Sequence, residues 1–179
     1  EELRAAGKVR AFAGSNFTAG ETGDAVEAAK RLGVPGFVAT QDEYSLLERG
    51  IEDVLLPVLE IHRLGLVPYF PLASGALSGK YRKGQPMPEG ARLTGSAKYA
   101  DRYFSGPAAD RVEALIGFAE SRGHTLLELA LSWLAARPTV ASIITGATKP
   151  EQIAANVKAV DWTLSAEEMA EVDRITRPA

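Results

Sequence analysis

Apolar positions along the chain fall into two rhythms. Four short, mostly apolar runs, at residues 9–14, 36–40, 66–69 and 141–145, have the length and character of buried strands. Between them lie longer stretches in which apolar residues recur every three or four positions, the period of an amphipathic helix. Thr18 and Glu21 have the spacing of a capping box, so a helix is expected over 18–32, with Val26, Ala29 and Leu32 inward and Gly33 as its stop. A second helix is expected over 52–64, with Pro57 near its first turn and Gly65 ending it. Pro107 suits the first turn of a helix over 107–122. Three further capping-box pairs, Thr125 with Glu128, Thr148 with Glu151 and Ser165 with Glu168, open helices over 125–136, 150–158 and 165–175. Residues 1–8 read as the last turns of a helix and its glycine stop, Gly7. Residues 81–106 break both rhythms. The stretch Lys83-Gly84-Gln85-Pro86-Met87-Pro88-Glu89-Gly90 cannot form a regular element, so a long loop is expected there.

Strands alternating with helices in this order mean parallel βα units, as either an open doubly wound sheet or a (β/α) barrel. In both, ligands sit at the carboxyl ends of the strands. No Gly-x-Gly-x-x-Gly follows the first strand, which argues against a Rossmann domain. Composition narrows the partners. The 179 residues, 46% hydrophobic and 24% charged with a net charge of −3, suit one soluble domain with a sizeable core. No basic stripe points to nucleic acid, and no apolar run is long enough to span a bilayer. The absence of cysteine removes thiol catalysis, disulfides and cysteine metal sites; the expected compartment is the cytoplasm.

The third strand end carries the most suggestive stretch, Leu66 to Lys80. An apolar run closes on Tyr69-Phe70-Pro71, and Ser74, Gly75, Ser78 and Gly79 then let the backbone approach a ligand closely. Free N–H groups there can hold phosphate oxygens, and Lys80 adds positive charge. Ser15, Asn16 and Gln41, at the first two strand ends, can donate to and accept from a carboxamide, or else cap the helices that follow. Tyr69 offers a face for a planar ring, or fills a core. Thr148 and Lys149 stand at a helix N-terminus, with Gln152 and Asn156 on one side of that helix, where an anion is favoured. Together these describe one extended ligand with a carboxamide-bearing ring, phosphates in its middle and a further anionic group: a nicotinamide dinucleotide.

The same four strand ends resemble those of the aldo-keto reductases. The resemblance rests on Gly14-Ser15-Asn16-Phe17; on Gln41 with Glu43-Tyr44-Ser45-Leu46-Leu47; on Tyr69 with Pro71-Leu72-Ala73-Ser74-Gly75 and Gly79-Lys80-Tyr81; and on Gly146-Ala147-Thr148-Lys149-Pro150-Glu151-Gln152 with Asn156. It covers essentially the whole chain, and is closest to the bacterial branch related to general-stress and potassium-channel β-subunit-like reductases. It implies an α/β fold, a (β/α)8 TIM barrel of which this chain supplies the second half, strands five to eight, as a single partial domain. The implied cofactor is NADP(H), with NAD(H) as the less frequent choice. By resemblance, Ser15, Asn16 and Gln41 hold the carboxamide and Tyr69 stacks on the nicotinamide. Leu72, Ser74, Gly75, Leu77, Gly79 and Lys80 line the pyrophosphate. Gly146, Ala147, Thr148 and Lys149 meet the adenosine 2′-phosphate, and Gln152 and Asn156 the adenine. Many members place a lysine where Gly146 stands, which leaves Lys149 as the 2′-phosphate partner.

The family's reaction also needs an Asp, a Tyr, a Lys and a His from the first half of the barrel, and none of those motifs occurs here. His62 and His124 read as helix-surface or packing residues, and Tyr44, Tyr81, Tyr99 and Tyr103 have no paired lysine that the sequence can place. The expectation is a fragment cut between barrel halves, which binds the dinucleotide and leaves a small carbonyl substrate unreduced. A second expectation is a non-catalytic dinucleotide-binding module that pairs, through its open strand edges, with itself or another half. A third is a phosphate-binding (β/α) enzyme of unrelated chemistry.

Overall fold

The computed structural model describes residues 1–177. A short helix α1 (Glu2–Ala5) leads through Gly7, at φ 70°, into strand β1 (Phe12–Ser15). Helix α2 (Ala19–Leu32), strand β2 (Phe37–Gln41), helix α3 (Leu56–His62) and strand β3 (Gly65–Leu66) complete a parallel sheet of order β1-β2-β3. A 3₁₀ turn at Ala73–Ser78 follows, then helices α4 (Ala97–Phe104), α5 (Gly106–Glu120), α6 (Leu126–Ala135), α7 (Pro150–Lys158) and α8 (Ala166–Thr176). Parallel βα units are therefore present, in the expected order.

The sheet departs from expectation at the third and fourth strands, for one physical reason. Val67 and Tyr69 keep donating to β2, through Thr40 O at 2.8 Å and Asp42 O at 3.0 Å. On the opposite edge Leu66 N donates to Thr139 O at 2.7 Å, and the next donor facing that edge falls at residue 68, a proline with no N–H. The ladder to the fourth run is broken there. Ala141 N still reaches Leu66 O at 2.8 Å, but Ile144 rather than Ile143 donates to Pro68 O, a slip of one residue. Residues 141–145 thus run extended along β3 without forming a regular strand, and β3 itself is two residues long where four were expected.

Small residues make one face of the sheet. Ala13 lies opposite Ala39, and Ala39 opposite Gly65. A Cβ on Gly65 would come within 2.9 Å of the Ala141 Cβ. Because side chains alternate across a strand, Ser15 and Gln41 stand on this same face at its carboxyl end. The opposite face, with Gly14, Thr40 and Leu66, is buried. Beyond it lies a core built on Trp133, Leu129, Val112, Leu115 and Leu59, and α5 packs against α4, α6 and α8.

Three capping boxes form as the spacing predicts, at Thr18–Glu21, Thr125–Glu128 and Ser165–Glu168. The fourth is displaced. Pro150 takes the first helical position, Lys149 becomes the cap, and Gln152 Oε1 instead of Glu151 accepts from Thr148 N at 2.7 Å and Lys149 N at 3.3 Å. Residues 81–106 are not irregular throughout, since they contain α4. The expected helix over 52–64 is regular only at Leu56–His62, after a run of turns. His124 precedes α6 rather than sitting on a helix, and its ring stacks on Trp162 with centroids 4.0 Å apart.

Candidate functional site

The carboxyl ends of β1 and β2 and the segment after β3 converge on a hydrogen-bonded chain. Ser15 Oγ donates to Gln41 O at 2.9 Å, Asn16 Nδ2 donates to Ser15 Oγ at 3.2 Å, and the Tyr69 hydroxyl donates to Asn16 Oδ1 at 2.7 Å. Asn16 sits in the left-handed region, φ 58°, a conformation that asparagine tolerates better than most residues. Its backbone N–H is shared between Gln41 O at 3.2 Å and Asp42 Oδ1 at 3.1 Å. Ser15, Asn16 and Gln41 are exposed and Tyr69 is partly so. Four of the predicted site residues are therefore held together, with polar groups left toward solvent. Partial burial, with the Glu43 and Asp42 charges nearby, holds the Tyr69 phenol above its ordinary range, so it is a neutral donor at pH 7.

The next group is a strained turn. Phe70, Ala73 and Ser74 have φ of 51°, 46° and 56°, and Gly75 and Gly79 have φ of 101° and 82°. Gly75 N donates to Leu72 O at 2.8 Å, and the Ser78 hydroxyl donates to Gly75 O at 2.7 Å. Ala73, Ser74, Ala76 and Leu77 are buried, Leu72, Gly75 and Gly79 partly so, and Lys80 is exposed with its Nζ 5.2 Å from the Tyr81 ring centre. The Leu77 side chain packs into the core. Ser74 Oγ is buried without a hydrogen-bond partner among the described residues.

The fourth group stands apart. Gly146, Ala147, Thr148 and Lys149 are exposed, and Gln152 Oε1 is occupied by the capping bonds to Thr148 and Lys149. Ala147 and Asn156 line an open groove of 550 Å³ together with Val140, Ile153, Val157 and Val160. No side-chain hydrogen bond among the described residues joins this group to Ser15, Asn16, Gln41 or Tyr69.

Two further groups at the mouth lie beyond the residues assigned to the ligand from the sequence, although Glu43 stands within the second strand-end motif. Asp42 is 5% exposed at the end of β2. Glu43 pairs alongside Tyr69, accepts from the Tyr103 hydroxyl and holds Arg102 Nη2 at 3.0 Å; that same nitrogen reaches Glu48 at 2.8 Å. Burial, then the bond to Glu43, raises the Tyr103 phenol well above its ordinary range. An edge-to-face series, Tyr69 to Phe70 at 5.4 Å and Phe70 to Tyr99 at 6.0 Å, continues as Tyr99 stacked on Tyr103 at 6.2 Å. Helix α4 is thereby fastened beside the strand ends. Two other tyrosine hydroxyls are engaged: Tyr44 donates to Glu52 at 2.7 Å, and Tyr81 accepts from Leu93 N at 3.1 Å.

No helix among the described residues is long and apolar enough to cross a membrane. No group of three or more histidine or acidic side chains among them is placed to hold a metal ion.

Comparison with known proteins identifies the family. The Aldo/keto reductase family model matches residues 1–177. A probable voltage-gated potassium channel subunit beta of Arabidopsis thaliana is 39% identical over 82% of this chain and 45% of its own length. Protein tas of Escherichia coli is 32% identical over 97% of this chain and 50% of its own length. The L-glyceraldehyde 3-phosphate reductase of Escherichia coli is 30% identical over 89% of this chain and 47% of its own length. The chain spans about half the length of the curated relatives it matches. A family match over residues 1–177 places the chain in the aldo/keto reductase family.

Proposed function

We propose that this chain is the cofactor-binding, C-terminal half of an NADP(H)-dependent aldo-keto reductase barrel. The observation that carries the reading is the Gln41–Ser15–Asn16–Tyr69 chain of hydrogen bonds. It sets amide, hydroxyl and phenol groups in fixed relation at adjacent strand ends. Ser74 supports it, because a buried hydroxyl without a protein partner, in a turn with two left-handed glycines, suits an anionic ligand oxygen.

In this reading Ser15, Asn16 and Gln41 bind the carboxamide, and the Tyr69 ring provides the surface for the nicotinamide. Leu72, Ser74, Gly75, Leu77, Gly79 and Lys80 border the pyrophosphate. Gly146, Ala147, Thr148 and Lys149 meet the 2′-phosphate, with Gln152 and Asn156 toward the adenine. A reduced nicotinamide dinucleotide supplies hydride when bound. In the complete protein an aldehyde or ketone is the acceptor. The proton for its oxygen comes from the Asp, Tyr, Lys and His set that this chain lacks, so the chain alone leaves carbonyls unreduced. Fluorescence titration of the 179-residue chain with NADPH and NADH tests the binding. Saturable quenching of protein emission by NADPH is expected, and its absence overturns the reading. NADPH oxidation by the pure chain with a panel of aldehydes overturns the assignment of chemistry to the other half.

The open groove beside Ile153, Val157 and Val160, with an extended edge at 141–145, supports a second reading: a non-catalytic dinucleotide-binding module that pairs with itself or with another half-barrel. Sedimentation equilibrium decides it. A concentration-dependent dimer is the expected result, and a folded monomer at all concentrations removes self-pairing.

A further inference from the structure

We infer that Asp42 is a positioning residue whose buried carboxylate holds the Asn16 backbone in its left-handed conformation and so fixes the Asn16 amide against the Tyr69 hydroxyl. Its consequence for ligand binding rests on the dinucleotide reading above; its geometry does not.

Three observations carry it. Asp42 is 5% exposed, unusual for a carboxylate with no cationic partner, and no Lys, Arg or His makes an ion pair with it among the described residues. Its Oδ1 accepts the Asn16 N–H at 3.1 Å across two strand ends, while its Oδ2 is buried with no partner. Asn16, thus held at φ 58°, is the residue whose side chain joins Ser15 to Tyr69. A half-satisfied buried carboxylate is a poor stabiliser of a fold. What it does supply is a strong acceptor at one N–H, and that N–H belongs to the residue on which the mouth is built. Thr40 Oγ1, two residues earlier on β2, is also buried without a hydrogen-bond partner. Burial raises the Asp42 carboxyl above the ordinary aspartate value of 3.8, against the opposing pull of the Asn16 N–H. The titratable groups around it are Glu43, next in the chain, and the Tyr69 hydroxyl; Arg102 reaches Glu43 from α4.

The test uses Asp42→Ala and Asp42→Asn in the whole chain, with three readouts: the Asn16 backbone amide by ¹H–¹⁵N NMR, NADPH affinity by fluorescence, and thermal stability. Asn16 N–H keeps its Gln41 O acceptor when the carboxylate is removed, so Asp42→Ala leaves the melting temperature within about 3 °C of the parent. The same variant displaces the Asn16 amide resonance and weakens NADPH binding by about tenfold. Asp42→Asn retains an Oδ1 acceptor and restores both, to within about twofold in affinity. In the parent the Asn16 amide titrates in the acid range, and in Asp42→Asn that titration disappears. Affinity and melting temperature that fall together without rescue by Asn overturn the positioning role. So does an acid titration that persists in Asp42→Asn, which shows that it does not come from Asp42. If the parent itself fails to bind NADPH, the dinucleotide reading falls, while the Asn16 amide still decides whether Asp42 positions it.

Discussion

Replacing Arg49 with methionine is expected to destabilise the chain by about 3–5 kcal/mol, because it strands a buried glutamate. Arg49 and Glu52 have side chains 7% and 9% exposed and meet in a two-pronged pair, Nη2 to Oε2 at 2.7 Å and Nε to Oε1 at 2.8 Å. The remaining nitrogen, Nη1, reaches across the fold to α8, to Asp173 at 2.8 Å and Thr176 at 2.5 Å. The guanidinium also lies 5.0 Å from the Trp133 ring centre. Methionine keeps much of the stem packing but none of these bonds. Asp173 keeps Arg137 at 3.3 Å, whereas Glu52 retains only the Tyr44 hydroxyl and the half-exposed Arg177. At 2–4 °C per kcal/mol for a domain of this size, the melting temperature falls by roughly 6–20 °C. The pH dependence checks the cause. Burial pushes the Glu52 carboxyl up, but the bonds from Arg49 and Tyr44 and the Arg49 charge outweigh it, and the net shift is downward. A lowered carboxyl contributes stability above its unfolded pKa and loses it as pH falls through the folded one. In Arg49→Met burial is opposed only by the weaker pull of the Tyr44 hydroxyl and the half-exposed Arg177, the Glu52 carboxyl rises, and the penalty is largest at neutral pH and shrinks toward pH 5. Urea unfolding followed by circular dichroism across this range reads both. A variant within about 1 kcal/mol of the parent at pH 7, or a difference that does not shrink in acid, shows the pair to be screened by water and refutes the argument.

Gly65→Val is expected to cost about 1–3 kcal/mol by urea unfolding, because even a Cβ there meets the Ala141 Cβ at 2.9 Å and must push the 141–145 segment off β3. Thr125→Ala removes the acceptor of Glu128 N at 3.2 Å and half of a capping box, for a loss of about 1 kcal/mol in the same assay. Lys149→Ala is expected to weaken NADPH binding by about tenfold and leave NADH unchanged; equal losses would remove Lys149 from the 2′-phosphate. Ser74→Gly relieves a left-handed residue at φ 56° and deletes a buried, unpartnered hydroxyl, so stability rises by about 1 kcal/mol while NADPH affinity falls.

What was legible in the sequence was local or periodic. Thr18, Thr125 and Ser165 announce their helices because a capping box closes within four residues. At the fourth, Pro150 decides the start, and counting three from Lys149 leads to Gln152; the spacing of Thr148 and Glu151 had equal claim until the proline's place was seen. Helix α4 was hidden by the glycines and prolines before it, and its anchors are distant: Arg102 to Glu43 spans 59 residues and Tyr103 to Glu43 spans 60. The site divides the same way. Ser15, Asn16, Gln41 and Tyr69 were readable as types at strand ends. Asp42 was not, and Glu43 stood in the motif without a role, because what each does depends on which neighbouring segment lies beside it. The break in the fourth strand was in principle readable, since Pro68 lacks an N–H, but only once it is known which edge that N–H would have faced.

Backbone strain supplies an argument for the site that does not depend on the family. Five residues other than glycine have positive φ among those described: Asn16, Arg63, Phe70, Ala73 and Ser74. Arg63 closes α3, an ordinary place for a left-handed residue. Asn16 follows β1 directly, and the other three lie in the segment and 3₁₀ turn after β3. No turn rule calls for a phenylalanine before a proline, or a buried alanine, in that conformation. Each costs on the order of 1–3 kcal/mol and persists only where its surroundings over-determine it. Here those surroundings are visible. Asn16 is held by Asp42 and Tyr69, Phe70 is wedged between Tyr69 and Tyr99, and Ala73 and Ser74 are sealed against Ala76 and Leu77. A fold under selection for stability alone would place glycine at 73 and 74 and leave nothing charged at 42. The same small region instead holds two left-handed residues in its core, a buried hydroxyl without a partner and a buried carboxylate with one oxygen unpartnered. Strained non-glycine backbone, a buried hydroxyl and a buried carboxylate thus gather beside neighbouring strand ends, and they support the ligand-binding proposal above without appeal to the family.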